Sequence, residues 1–393
     1  MPALLYVLAV AVFAQGTSEF VLAGLVPGIS ADLGISIAQA GYLTSGFAVG
    51  MVVGAPLTAA LARRLPPRWT LTGCLLVFVA AHATGALTDH FAVLLASRFV
   101  AALANAGFLA VALSTVTRIV PAGRQARALA AVLAGTTLAL IAGVPAGALL
   151  GTLWGWRSAL WAIAGLSALA LVAVAVLTPA GPGSHAQAGR ADADAELRVD
   201  LRSELGALQS PDLLRHLALG VLVNGATFGA FTYLAPVATD AAGLDPAFVP
   251  AVLASFGAGA FIGVTAAGRL AQTYGRTVIG VGSAALLAGW AGWASLASYP
   301  PVVWVLAPVL GALSFAVGGT LIAHSMASAL SAPTMGGAFS TVALNLGALV
   351  GPVLGGSAIG SLGAVGPLVV SATLAGTAAV LWSVPALARR TAS

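Results

Sequence analysis

Two charged side chains lie deep inside apolar stretches of this sequence, where an ionisable group can take part in chemistry. Glu19 lies eight residues before Pro27, at the end of the first apolar stretch, and Arg98 lies eight residues after His90, at the start of the fourth. At a rise of 1.5 Å per helical residue, both charges are roughly 12 Å from one end of their stretches. A charge in lipid costs several kcal/mol unless it faces protein or water, so both residues are candidates for a functional site.

The pairing of a carboxylate with a guanidinium has two interpretations. In the first, Glu19 takes up and releases a proton, because burial favours its neutral form and a nearby Arg98 favours its charged form. A ligand or a conformational change that alters the pairing would then switch the protonation of Glu19, while Arg98 stays charged. In the second, the two side chains form a static buried salt bridge that satisfies both charges.

Amide, hydroxyl and aromatic side chains at similar depths are candidates for a ligand cavity. They suit an uncharged aromatic amide, which would be bound by ring stacking and a few hydrogen bonds. Each of them alone could instead form a hydrogen bond or a packing contact between helices. The candidates for substrate binding are Gln15, Asn105, Asn224, Thr227, Phe228, Phe231 and Asn345.

The composition shows which elements must hold these residues. Of 393 residues, 60% are hydrophobic and only 7% are charged, whereas about 25% is usual in soluble domains. Lipid must therefore surround most of the chain, and long apolar runs without alternation exclude a transmembrane β-barrel. We predict an all-α polytopic membrane protein with 12 transmembrane helices, spans 1 to 12, at about 4–27, 39–61, 70–88, 91–117, 126–151, 158–178, 214–236, 247–269, 276–297, 302–327, 336–360 and 364–387.

The distribution of arginine predicts the orientation of the spans. Fourteen of the 16 basic residues lie in alternate loops or at the C-terminus, whereas Arg157 alone lies on the opposite side. Both termini are therefore expected in the cytoplasm. Four tryptophans near the outer ends of spans, at positions 154, 156, 290 and 304, are expected to form an aromatic belt.

The two halves of the chain repeat at a constant offset. Gly16 and Pro27 recur as Gly225 and Pro236, each 209 residues later, and further pairs in span 2 have the same offset. We predict an N-terminal six-helix bundle at 1–178, a cytoplasmic linker at 179–213 and a C-terminal six-helix bundle at 214–393. The linker contains a predicted amphipathic surface helix, which either joins the halves or binds a partner.

Several motifs in these spans and loops resemble those of the major facilitator superfamily. The loop after span 2 is Ala59-Ala-Leu-Ala-Arg-Arg-Leu-Pro-Pro-Arg68, and its counterpart after span 8 is Gly268-Arg-Leu-Ala-Gln-Thr-Tyr-Gly-Arg276. Arg63 stands where the family has an aspartate. The resemblance implies a fold of two six-helix pseudo-repeats that rock against each other around a central site. The resemblance also implies two cytoplasmic gate loops, which contain Arg64, Arg68, Gly268, Gly275 and Arg276.

A second shared motif, the antiporter motif, lies in span 5 and has a counterpart in span 11. Its residues in this chain are Gly143, Pro145 and Gly147 in span 5, and Gly351 and Pro352 in span 11. Glycines at i and i+4 let a neighbouring helix approach closely, and proline bends the helix. The motif is interpreted as a hinge of antiporters, although close helix packing alone also explains such a stripe.

The chain most resembles the bacterial chloramphenicol-resistance efflux transporters of the drug:proton antiporter-1 group. The resemblance is carried by Gly16-Thr-Ser-Glu-Phe20, Ala101-Ala-Leu-Ala-Asn-Ala-Gly-Phe-Leu-Ala-Val111, Gly135-Thr-Thr137, Asn224-Gly-Ala-Thr-Phe228 and Ala332-Pro-Thr-Met335. It implies proton-coupled export of chloramphenicol or similar amphipathic compounds by a monomer in the bacterial inner membrane. It also places Arg98 in a span 4 motif associated with proton transfer. The proton gradient would supply the energy, and no cofactor is expected.

Other functions remain open or are excluded. The first of the quoted motifs also occurs in sugar-efflux relatives, so export of a sugar or another small metabolite is the alternative, beside a channel or a sensor on the same scaffold. The chain has no H-E-x-x-H, G-x-S-x-G or Walker A motif, so we expect no enzyme activity, catalytic residue or metal site. The net charge of +5 is small and scattered, so nucleic acid is not expected as a partner.

Overall fold

A computed structural model of the protein describes residues 3–62, 66–178, 206–329 and 336–391. Within these ranges the chain is helical and contains no β-strand. Arg64 and positions 179–205, which include the predicted amphipathic helix, lie outside the described residues. The helices are Ala3–Phe20 and Leu22–Leu33 (span 1), Ile37–Ala62 (span 2), Pro67–Leu87 (span 3), Phe91–Ile119 (span 4), Ala122–Leu138 with Val144–Trp154 (span 5), Trp156–Leu177 (span 6), Pro211–Phe231 with Leu234–Pro236 (span 7), Val249–Ser295 (spans 8 and 9), Pro300–Ser328 (span 10), Gly336–Leu362 (span 11) and Gly366–Thr391 (span 12).

The lengths of these helices give twelve crossings of a membrane. Ten described stretches are long and apolar enough to cross, and two of them, Pro246–Ser295 and Gly337–Val384, have 50 and 48 residues. A crossing needs about 20 residues, so each of these two stretches supplies two. The backbone breaks at Tyr274 in the first stretch and at Gly363, with a φ of 61°, in the second. The predicted all-α polytopic fold is confirmed.

Three span boundaries differ from the prediction. Span 1 does not end at Pro27 but continues to Leu33. Its helix is instead interrupted earlier, at Val21. Glu19 therefore lies near the middle of span 1 and not near one end. The predicted connection between spans 8 and 9 is shorter than expected, since two helices meet there at a kink with one non-helical residue, Tyr274. Span 5 is longer than predicted and contains a π-helical segment, Ala139–Gly143.

Glycine stripes bring neighbouring spans into close contact. In span 5, a side chain at Gly143 would collide with Thr17 of span 1, and one at Gly147 would collide with Val21. In span 11, a side chain at Gly351 would collide with the backbone of Gly225 in span 7. Lipid tails give no hydrophobic drive for helix association, so this close approach supplies the van der Waals contact that holds the helices together. Close helix contacts at glycine therefore occur in both halves of the chain.

The first and second halves meet along an apolar interface. Four aromatic rings meet there, with centroid distances of 5.8 Å between Phe20 and Phe228 and 4.8 Å between Phe231 and Phe256. Nearby, the Ser45 hydroxyl of span 2 donates to the carbonyl oxygen of Leu349 in span 11 at 2.8 Å.

The tryptophans are only partly placed as the belt prediction requires. Trp154 and Trp304 are 72% and 37% exposed, as lipid-facing residues should be. Trp156 and Trp290, in contrast, are buried, so the belt assignment is wrong for both. Trp156 donates its indole N–H to Asp32 at 3.0 Å, and Trp290 stacks on Trp293 inside the bundle. Position near a helix end does not reveal which side of the helix faces protein.

Candidate functional site

Arg98 is held inside the first half of the molecule by span 1. Its side chain is 2% exposed, and its two terminal nitrogens donate to Ser18, one to the hydroxyl oxygen at 2.7 Å and one to the backbone carbonyl oxygen at 2.6 Å. The guanidinium carbon also lies 4.6 Å from the centre of the Phe47 ring, in a cation–π contact. The fork of the guanidinium thus grips both oxygens of one residue.

The break in span 1 makes this grip possible. In an uninterrupted α-helix the carbonyl oxygen of Ser18 would accept a hydrogen bond from the N–H of Leu22. The helix is interrupted at Val21, and the Ser18 oxygen accepts from Arg98. The interruption therefore supplies a backbone acceptor in the interior of a membrane bundle, where such acceptors are otherwise used within the helix.

His82 of span 3 is the third member of the site and was not predicted from the sequence. It is 2% exposed, with Nε2 at 2.7 Å from the Ser18 hydroxyl oxygen and Nδ1 at 2.8 Å from the carbonyl oxygen of Phe78. A carbonyl only accepts, so the ring proton is assigned to Nδ1, and Nε2 then accepts from Ser18. The hydrogen bonds run in one direction from Arg98 through Ser18 and His82 to Phe78.

Glu19 follows Ser18 directly but has no hydrogen-bond or ion-pair partner among the described residues. Its side chain is partly exposed, and within the part of the chain that the structure describes it forms neither a hydrogen bond nor an ion pair. The static Glu19–Arg98 salt bridge considered above is therefore not formed in this conformation. In the sequence, Glu19 lies between Ser18, which binds Arg98, and Phe20, which packs against the second half.

Gln15, one turn before Glu19, is the most unusual of the predicted cavity residues. It is 1% exposed, yet neither its amide oxygen nor its amide nitrogen has a hydrogen-bond partner among the described residues. An unpaired buried polar group costs about 1–3 kcal/mol, so this amide marks a place for water or a ligand. The amide nitrogen of Asn105 donates to the sulfur of Met51 at 3.5 Å, and a thioether sulfur is a weak acceptor.

Three of the predicted polar residues form hydrogen bonds with the protein backbone. The amide nitrogen of Asn224 donates to the carbonyl oxygen of Leu344 at 2.6 Å and thereby joins spans 7 and 11. Thr227 and Asn345 donate to carbonyl oxygens one turn earlier in their own helices. The bond of Asn224 is one between helices, as the structural alternative describes, and a role of these three residues in substrate binding stays a prediction. Phe228 and Phe231 lie in the aromatic contact between the two halves.

The antiporter motif of span 5 lies beside the charged site. The π-helical segment Ala139–Gly143 packs against Gly16 and Thr17, immediately before Ser18. Pro145 follows the segment and cannot donate to the helix, which favours a local widening of the turn. In span 11 the carbonyl oxygen of Pro352 accepts a hydrogen bond from the Tyr233 hydroxyl at 2.8 Å. Such π-helical segments occur often at functional sites.

The predicted gate residues that the structure describes are separate from this site. Arg68 is half-buried at the start of span 3, and Gly268, Gly275 and Arg276 lie on either side of the kink at Tyr274 between spans 8 and 9. A side chain at Gly275 would collide with the His324 imidazole of span 10. This contact gives the motif glycine a packing role at that end of the second half.

At the opposite end, Arg157 joins an acidic residue at the end of span 1 to one in the loop between spans 3 and 4. It forms ion pairs with Asp32 and Asp89, and its guanidinium lies over the Trp156 ring. The three charges therefore belong to the same end of the bundle. Among the described residues, no group of three or more histidine, cysteine or acidic side chains is arranged to hold a metal ion.

The sequence does contain a signal that would have pointed to His82 as a neighbour of Arg98. Spans 3 and 4 are antiparallel and joined by a short loop, and His82 precedes that loop by about as many residues as Arg98 follows it. Residues at equal depth on adjacent antiparallel helices can meet. The serine next to Glu19, in contrast, gives no sign in the sequence that its carbonyl oxygen is free.

Comparison with known proteins shows the family of the chain. The chain is 52% identical to a chloramphenicol resistance protein of Streptomyces lividans over 96% of this chain and 95% of that protein. It is 33% identical to the inner membrane transport protein YdhP of Escherichia coli, over 96% and 94% of the two chains. Among solved structures, a bacterial homologue of the human lysosomal transporter Spinster superposes with a TM-score of 0.77 at 17% identity, covering 97% of this chain and 95% of that one.

A D-xylose–proton symporter also superposes, with a TM-score of 0.74 at 12% identity and 96% coverage of both chains. These two structures share the fold. The family model described as Major Facilitator Superfamily matches residues 8–344. With its twelve crossings, its repeated glycine stripes and this match over most of its length, the chain belongs to the Major Facilitator Superfamily and is a multi-pass membrane transporter, not an enzyme.

Proposed function

We propose that this protein exports chloramphenicol or similar amphipathic compounds in exchange for protons, with Glu19 as the proton carrier. One observation carries the proposal: the Glu19 carboxylate, within the described structure, is unpaired at the middle of span 1, while the neighbouring cation Arg98 is bound to Ser18. A carboxylate that is not neutralised by a partner can take up a proton when it is enclosed. The similarity to the Streptomyces lividans protein supports the choice of drug.

Exchange requires that the drug and the proton weaken each other's binding. Protonation removes the charge of Glu19, so the carboxyl group can be enclosed when the halves close over an empty cavity. Binding of the drug favours the conformation in which Glu19 is ionised, and the proton is released. Gln15 and the aromatic rings Phe228 and Phe231 are proposed to contact the drug, because the unpaired amide and the interface rings offer hydrogen bonds and stacking.

The movement would occur between residues 1–178 and 214–393, which we propose as the two six-helix units, with 179–213 as the link between them. Positions of arginine favour cytoplasmic termini and place the Arg157 end outside the cell. We propose the bacterial inner membrane as the location and a monomer as the working unit. The π-helical segment of span 5 touches Gly257 of span 8, which supports a movement at this contact between the proposed units.

Accumulation of labelled chloramphenicol in cells, with and without a protonophore, tests this proposal. Cells that express the protein should accumulate less drug than control cells, and the protonophore should abolish the difference. Glu19→Gln should abolish it as well, whereas Asp240→Asn should not, because Asp240 is exposed in the segment Val237–Ala241 after span 7. Unchanged drug accumulation together with export of a labelled sugar would favour the metabolite-efflux alternative and overturn the proposal.

A further inference from the structure

Three side chains from three spans form a chain of hydrogen bonds whose direction is set by its two ends. Arg98 can only donate, so the Ser18 hydroxyl oxygen accepts from it. The carbonyl oxygen of Phe78 can only accept, so His82 donates from Nδ1 and accepts at Nε2. The proton of the Ser18 hydroxyl is therefore directed to His82, and a lone pair of its oxygen is directed to Arg98.

We propose that Ser18 and His82 are positioning residues that hold the Arg98 guanidinium away from Glu19. The inference rests on the proposed role of Glu19 as proton carrier. A hydrogen bond from Arg98 to the Glu19 carboxylate would be favourable, because it would be roughly twice as strong as one to a neutral hydroxyl. Ser18 offers two acceptors at once, the hydroxyl and the carbonyl oxygen freed by the break at Val21, and these two bonds compete with the single carboxylate.

The contribution of His82 is to keep the Ser18 hydroxyl oriented. If His82 were protonated, both ring nitrogens would donate, and the serine proton would lose its acceptor. A second positive charge would also face Arg98. The His82 ring is packed 4.2 Å from the Phe78 ring and buried, which fixes its plane. Neutral His82 is therefore the form that fits the geometry.

One nitrogen of the guanidinium is left over in this arrangement. The Nε of Arg98 has no hydrogen-bond partner among the described residues, so a further acceptor close to Arg98 would satisfy it. Arg98 interacts electrostatically with both Glu19 and His82. The other described ionisable groups on spans 1 to 6 are Tyr6, Asp32, Tyr42, Arg68, Cys74, Arg118, Arg124, Arg127 and Arg157, and spans 7 and 8, which contact span 1, add Asp212, Arg215, His216, Tyr233 and Arg269.

The test is the pH dependence of chloramphenicol binding to the purified full-length protein. Loss of the serine hydroxyl should release one arm of Arg98, which then binds Glu19 and keeps it ionised to lower pH. In Ser18→Ala the midpoint of the pH profile should move down by at least about one pH unit, a tenfold change in proton affinity. Glu19→Gln should remove the pH dependence altogether.

A second pair of variants keeps the test decisive if Ser18→Ala does not fold. His82→Phe keeps the ring but removes the acceptor for the serine proton, and should shift the midpoint in the same direction. His82→Gln places an amide oxygen near the position of Nε2 and should restore the wild-type midpoint. A merely structural role would change the yield and the melting temperature of the His82 variants without moving the midpoint.

The outcomes separate the two proposals. If Glu19→Gln binds the drug with the wild-type pH profile, Glu19 is not the proton carrier and the proposed function fails. If Glu19→Gln loses the pH dependence but Ser18→Ala and His82→Phe keep the wild-type midpoint, the proposed function stands and the positioning role of Ser18 and His82 is overturned.

Discussion

Replacement of Gly143 by alanine should destabilise the protein through one defined contact. The methyl group would collide with the Thr17 side chain of span 1, because the π-helical segment brings the two backbones together. Alanine in place of glycine favours a helix by about 0.5–1 kcal/mol, whereas overpacking a tight interior costs about 1–3 kcal/mol. The net expectation for Gly143→Ala is a loss of about 1–2 kcal/mol, measured as a melting temperature lowered by a few degrees in detergent.

Two further variants test the reason for this loss. Gly165→Ala in span 6 is the matched control, because a Cβ there meets nothing within 4 Å, and it should leave the melting temperature unchanged or raise it. Thr17→Ala in the Gly143→Ala background removes Oγ1 and Cγ2, two of the three atoms that the methyl group meets, and should recover most of the loss, apart from the small cost of the Thr17 hydrogen bond to Phe13. Equal stability of Gly143→Ala and Gly165→Ala would refute the close contact between spans 1 and 5.

Further predictions concern the charged site and the second half. Arg98→Lys keeps the charge but cannot grip both oxygens of Ser18 with a planar fork, so drug export from cells should fall at least about tenfold; export at the wild-type rate would contradict the assigned geometry. Tyr233→Phe leaves the carbonyl oxygen of Pro352 without its donor and should cost about 1–2 kcal/mol in thermal unfolding, and an unchanged melting temperature would show that this bond does not stabilise the fold. Asn224→Ala should lower the melting temperature more than it weakens chloramphenicol binding, because the amide joins two spans; weakened binding at wild-type stability would instead make Asn224 a drug contact.

The number of crossings and the glycine contacts follow directly from the sequence. Lipid demands long apolar helices, and close helix packing in lipid demands small residues at regular spacing. The stripe Gly143 to Gly147 therefore predicted a close helix contact, and the structure supplies its partners in Thr17 and Val21. These features depend on local composition and periodicity, which a single sequence displays.

The partners of Arg98 could not be predicted in the same way. Its equal depth with Glu19 suggested a salt bridge, but the break in span 1 exposes the Ser18 carbonyl oxygen, and this oxygen binds the guanidinium. Pro27, the residue most expected to end or bend span 1, lies inside its second helix. The position of the break depends on tertiary contacts and not on local propensity.

Burial was similarly hard to derive from position along the chain. Trp290 lies near the end of span 9, where an aromatic belt is expected, yet it stacks on Trp293 within the protein. A span that is apolar all round does not reveal which of its sides faces lipid. Such assignments require the neighbouring helices to be known.

The most direct test of the proton-carrier assignment is the release of protons when chloramphenicol is added to the purified protein in weakly buffered detergent solution. At a saturating drug concentration, the wild-type protein should release protons, and Glu19→Gln should bind the drug and release none. Proton release by Glu19→Gln equal to that of the wild type would contradict the assignment of Glu19 as the residue that exchanges a proton for the drug.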